Sequence, residues 1–197
     1  MSAAYCRAYN NWLLDFCNLY PRRLIPIAHI SLLDIDEAIK ELRRVAKLGM
    51  KGTFLFSRPI NGRPFGNRYY DPFWAEAQDL GMPVSIHVIN NPKYVGHHLY
   101  PMGEAYVGNS FFFNVMINGV VQLAFTSLFE GAVFEPFSQL KVVVLETGCG
   151  WIAHWLDHMD AKYREFENAT EMKLPPASIL SGSAGSLGSP MRGLFRQ

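Results

Sequence analysis

Cysteine is scarce in this chain. Cys6, Cys17 and Cys149 form an odd, widely spaced set. That argues against a secreted disulfide framework and for a reducing compartment, the cytoplasm. Charge is also scarce, at 18% of residues, and it balances to a formal net +1. No basic face can be traced, so nucleic acid is not an expected partner. The N-terminus carries Arg7 in a polar and aromatic segment and lacks the apolar core of a signal peptide. One uncharged run, Phe111 to Phe129, is long enough to span a bilayer. Within it Asn114, Asn118 and Gln122 recur every fourth residue and put three amides on one helical face. That pattern fits a helix packed in a soluble protein, and no membrane partner is expected.

What the chain has in quantity is apolar side chains, 49% of 197 residues, enough for one large core. Ala3 to Tyr20 reads as a helix with Trp12, Leu13, Phe16 and Tyr20 near one face, stopped by Pro21. Leu24 to Ile30 reads as a buried strand. Asp34 and Glu37 have the spacing of a capping box, and Gly49 is placed to end the helix they start. Gly52 to Ser57 is the second strand, followed by a turn-rich loop through Pro64. Asp71-Pro72 marks a helix start and Gly81 its end. Met82 to Val88 is the third strand. A long loop, about Asn90 to Gly108, leads to a helix from about Asn109 to Glu135. The fourth strand begins at Leu140, and a helix from Trp151 to about Phe166 follows. This alternation implies parallel strands with right-handed crossovers. After Pro176 the chain turns rich in glycine and serine. We therefore expect one domain over residues 1–176 and a flexible tail over 177–197.

Two strands end on ionisable residues, which matters because chemistry in α/β proteins sits at the carboxyl ends of strands. His87 is placed to bind a metal or move protons, or simply to bond a loop. Glu146 is placed to act as a base, a metal ligand or a substrate acceptor, or to accept from the N–H groups of the following glycine turn. Gly148-Cys149-Gly150 opens a helix and could hold an anion, or its small residues could serve packing alone. Arg58 and Arg63 flank Asn61-Gly62 and are candidates to clamp a carboxylate, with plain loop charges as the alternative. His97 and His98 in the long loop are candidates to gate a pocket or touch substrate. His154 and His158 lie four apart on one helix, but Trp155 stands where a metalloprotease helix needs glutamate, so a surface or packing role is expected. His29 is expected to be a core histidine.

Three stretches together carry a resemblance. They are Tyr9-Asn10-Asn11-Trp12-Leu13 leading to Pro21-Arg22-Arg23-Leu24, then Gly81-Met82-Pro83-Val84-Ser85-Ile86-His87, and Phe134 to Val142 continuing through Glu146 to Trp151. The chain resembles the amidohydrolase-related enzymes of the decarboxylase type, which include aminocarboxymuconate-semialdehyde decarboxylase and aromatic-acid decarboxylases. The resemblance implies a (β/α)8 TIM barrel of the metal-dependent hydrolase type, with a divalent metal, often zinc. It implies a small carboxylic acid as substrate, acted on by decarboxylation or hydrolysis. His87 matches the metal ligand of the family's fifth strand, and Glu146 falls where many members have the sixth-strand histidine. Glu146 is thus the expected catalytic residue, His87 the expected metal ligand, and Arg58, Asn61 and His98 the expected substrate contacts.

The chain contains no His-x-His, and nothing after Glu146 reads as a strand ending in aspartate. A complete barrel needs about 250 residues. The expectation is therefore a partial barrel of about four parallel strands, equivalent to the third through sixth of eight, from a truncated gene product or fragment. Such a unit would have two open sheet edges and an exposed inner face. It would bind metal poorly and be weakly active or inactive alone, and it could form a homo-oligomer. A degenerate, non-catalytic domain kept for association is the second expectation, and an open four-stranded domain binding an anion at Gly148-Cys149-Gly150 is a third.

Overall fold

The computed structural model describes residues 2–88, 115–116 and 118–183. The expected long loop with His97 and His98, the helix start near residue 109, Asn114 and residues 184–197 lie outside them. The described elements are α1 (Ser2–Asn18), β1 (Ala28–His29), α2 (Ile35–Lys47), β2 (Thr53–Phe56), α3 (Asp71–Asp79), β3 (Val84–His87), α4 (Asn118–Glu130), β4 (Val142–Leu145), α5 (Gly150–Phe166) and α6 (Pro176–Ser183). The four strands form one parallel sheet in the order β1-β2-β3-β4. No helix among the described residues is long and apolar enough to cross a membrane.

The sheet has two unlike faces. Ala28, Thr53, Leu55, Val84 and Ile86 are buried beneath the helices. Alternation and strand register put His29, Phe54, Phe56, Ser85, His87, Val143 and Leu145 on the other face. That second face would be the interior of a closed barrel, and here Phe56 and Val143 remain 40% and 41% exposed.

Local signals explain most element boundaries. The Asp34 side chain accepts from the Glu37 N–H at 3.0 Å, so α2 is capped as its spacing predicts. Gly49 and Gly81 both take positive φ just past their helices, where a Cβ would be strained. The start of α3 differs from expectation. Asn67 caps a short 3-10 turn, Arg68–Tyr70, and Asp71 is the first helical residue rather than the cap. The tail also differs in part. α6 runs beyond residue 176, because Ala177, Ile179 and Leu180 pack against the core and Ala177 N–H donates to Asp160 at 2.9 Å.

The aromatic row of α1 is turned outward. Its aromatics do not face the core: Trp12 and Tyr20 are 57% and 63% exposed, and Tyr9, Trp12 and Phe16 contact one another along the outside. The buried positions are Cys6, Asn10 and Cys17, with Leu13 and Leu14 partly buried against the core beside them. Asn10 explains why. Ala28 and Ile30 donate their N–H groups to β2, which turns the His29 peptide groups toward the outer edge. There Asn10 Oδ1 accepts from His29 N–H at 2.8 Å and Asn10 Nδ2 donates to His29 O at 3.0 Å. One side-chain amide takes the place of a neighbouring strand's peptide. Asn10 therefore covers this edge at His29, contrary to the expectation of two open edges.

Candidate functional site

β2, β3 and β4 end at one level, because Phe56 pairs with His87 and His87 pairs with Leu145. The chain then turns at each strand end, and Ser57 N–H donates to His87 O at 3.0 Å. This brings His87 and Glu146, distant in sequence, into contact: His87 Nε2 and Glu146 Oε2 are 2.8 Å apart. His87 Nδ1 is 2.7 Å from Val88 O. A carbonyl oxygen only accepts, so Nδ1 is the donor there, and the bond at Nε2 needs a further hydrogen from one partner. The pair thus sets a ring nitrogen and a carboxylate oxygen within hydrogen-bond distance of each other. Glu146 is well exposed at the mouth and His87 is half-buried behind it.

An aromatic wall backs the pair. The Phe54 ring lies 5.0 Å from His87 and 5.3 Å from Phe56, and His29 packs 5.2 Å and 5.1 Å from Phe54 and Phe56. Burial holds the His29 pKa below its usual value. His29 is accordingly part of the inner face, as a half-covered histidine among rings. Sequence reasoning passed over Phe54 and Phe56 as site residues. Their signal was the alternation in Thr53-Phe54-Leu55-Phe56, which puts both rings on the face of His87.

The other candidates are not drawn to the pair by any described contact. Arg58 follows Ser57 at the rim and forms no ion pair with a described side chain. Asn61 and Gly62 take φ of 52° and 72° and close the Ile60–Arg63 bridge, a two-residue turn that favours these residue types by itself. Arg63 stacks on the Tyr69 ring at 4.5 Å. His98 lies outside the described residues. His154 and His158 are exposed on α5, with His158 against Trp155 at 5.7 Å, which agrees with a surface and packing role. Cys149 is exposed at the start of α5 and makes no capping bond.

A divalent metal fits this donor set poorly. Catalytic metals take about three protein ligands, and no group of three or more His, Cys, Asp or Glu among the described residues could hold one. His87 and Glu146 supply two donors, already bonded to each other.

Residues 1–173 match the family profile described as amidohydrolase. Curated relatives include the decarboxylase orsB of Emericella nidulans, 28% identical over 75% of this chain and 45% of its own length. A 2-keto-4-carboxy-3-hexenedioate hydratase of Sphingobium is 24% identical over 79% of this chain and 44% of its own. The chain therefore spans about half the length of the curated relatives it matches. Among solved structures, the amidohydrolase map2389c from Mycobacterium avium subsp. paratuberculosis superposes with a TM-score of 0.78 at 22% identity, covering 99% of this chain and 51% of that one. A 5-carboxyvanillate decarboxylase from Novosphingobium aromaticivorans, complexed with manganese and 4-hydroxy-3-methoxy-5-nitrobenzoic acid, superposes with a TM-score of 0.66 at 23% identity. It covers 86% of this chain and 46% of that one. The fold is thus that of consecutive βα units from a (β/α)8 barrel. The metal reported for the decarboxylase is manganese, whereas zinc was the expectation for this chain.

Proposed function

Because the chain belongs to the amidohydrolase family, we propose that it is part of a barrel enzyme that decarboxylates or hydrolyses a small carboxylic acid. We further propose that its four-stranded unit alone is weakly active or inactive. The observation that carries this reading is the His87–Glu146 pair at 2.8 Å, at the carboxyl ends of adjacent parallel strands. Decarboxylation breaks a carbon–carbon bond, leaves the electron pair on the substrate carbon and replaces carbon dioxide with a proton. In this proposal such a proton is relayed through the His87–Glu146 pair, whose carboxylate is exposed to water. Glu146 is the proposed proton-handling residue and His87 its partner. Arg58, Asn61 and His98 are proposed to hold the substrate carboxylate. A divalent metal, where bound, would add charge stabilisation, although the described donors number two.

One observation favours a second reading, a non-catalytic domain that associates with copies of itself or another protein. The aromatics of α1 lie exposed in a contiguous row, as an association surface would. Ligand titration followed by ring resonances separates the two. Millimolar 2,6-dihydroxybenzoate is expected to shift the His87 ring signals, and His87→Ala is expected to weaken its binding at least tenfold. Unchanged His87 signals with this acid and with an acyclic unsaturated diacid would favour the second reading.

A further inference from the structure

The carboxylate reaches His87 only because the chain leaves the strand conformation at Glu146. Along β4 the side chains alternate, with Val142 and Val144 on the helix-covered face and Val143 and Leu145 on the face of His87. One more extended residue would send Glu146 to the side of Val144, away from the imidazole. Instead Glu146 takes φ +58, in the left-handed region. Of the three described non-glycine residues with positive φ, Asn61 is of a type that tolerates it, and Glu146 is not. That step breaks the alternation and returns Oε2 to His87 Nε2. Val88 O holds the opposite ring nitrogen at 2.7 Å, so the imidazole is tethered at both ends.

We infer that Glu146, beyond its proposed proton handling, also positions His87: its strained backbone delivers the carboxylate that orients the ring. Strain of this kind persists where surrounding structure and function require it. Thr147 is buried directly after it, and Gly148 takes φ +62, so the turn is held from its far side by a residue free to adopt it. The inference rests on the reading of His87 and Glu146 as the working pair, and it adds what the backbone contributes.

The test compares Glu146→Gly, Glu146→Ala and Glu146→Gln in the full chain by thermal unfolding and by the ring nitrogen resonances of His87. Glycine accepts positive φ without strain, so Glu146→Gly is expected to melt about 2–4 °C above Glu146→Ala. Both variants are expected to lose the single ring environment of His87 and to exchange its Nδ1 proton at least tenfold faster. Glu146→Gln keeps the length of the side chain and an amide group that can bond Nε2, and it is expected to restore the ring environment. Equal melting of the glycine and alanine variants, or a His87 ring unchanged in Glu146→Ala, would overturn the inference. Ring signals that follow this pattern while no carboxylic acid perturbs them would uphold the positioning role and leave the proposed function refuted.

Discussion

Replacing Gly66 with alanine is expected to destabilise the fold by about 3 kcal/mol or more, near the top of the range for overpacking. A Cβ built on Gly66 overlaps the carbonyl oxygen of Ser127, near the end of α4, and a Cβ on Gly131 overlaps the Gly66 backbone. The loop after β2 thus lies directly against the end of α4, backbone to backbone. Neither partner is a side chain that can rotate aside. Gly131→Ala is expected to cost a similar amount. Gly119 provides the control: it sits inside α4 and has no atom within 4 Å of its added Cβ. Gly119→Ala is expected to be neutral or to gain a few tenths of a kcal/mol from helix propensity. Urea unfolding of the three variants checks the order, and equal stability of Gly66→Ala and Gly119→Ala would show that the close approach does not exist in solution.

Asn10→Ala is expected to cost roughly 3 kcal/mol, since it strips a buried peptide of both partners. In a chain of this size that is a fall of about 6–12 °C in melting temperature. The amide closes β1 at His29 and also donates to Glu41 Oε1 at 2.9 Å. Glu41 is nearly fully buried and takes further bonds from Arg44 and Arg7. Burial pushes the Glu41 pKa up, but the bonds from Arg44, Asn10 and Arg7 outweigh it and hold the carboxyl below its ordinary value. The sign follows from linkage. A carboxyl with a depressed folded pKa contributes stability above about pH 4.3, the unfolded value, and that stability is lost as the pH falls through the folded one. Removing Asn10 takes away one of these bonds, so acid unfolding is expected to begin at higher pH in Asn10→Ala. Melting curves at neutral pH and an acid titration followed by circular dichroism measure both effects. A variant as stable as the parent at both would mean that the β1 edge has another cover.

Both predictions concern contacts that the sequence conceals. Apolar runs located β3 and β4 well, because Val84–His87 ends on an ionisable residue and Val142–Leu145 is followed directly by one, Glu146. The α2 cap was equally legible, since its donor and acceptor lie three residues apart. How α1 docks was not legible, because periodicity ranks residues by apolarity. Its docking is decided by an amide that fits a strand edge, and no local pattern signals that. Asp71 looked like a helix cap because Pro72 follows it. The real cap, Asn67, stands at the head of a 3-10 turn that precedes the helix. At the site, His87 and Glu146 were each readable as strand-end residues. Their direct bond was not, because it depends on a left-handed step at Glu146 that propensity assigns to glycine or asparagine. Asn61 also has a structural reason for its residue type, the tight turn it forms with Gly62.

In the proposed reading, the His87–Glu146 pair does not by itself make this chain a complete metal-dependent enzyme. Carbon dioxide release from 2,6-dihydroxybenzoate by the purified chain, supplied with excess manganese, tests it most directly. The account predicts release at the rate of the buffer alone. Sustained turnover that Glu146→Gln abolishes would contradict it.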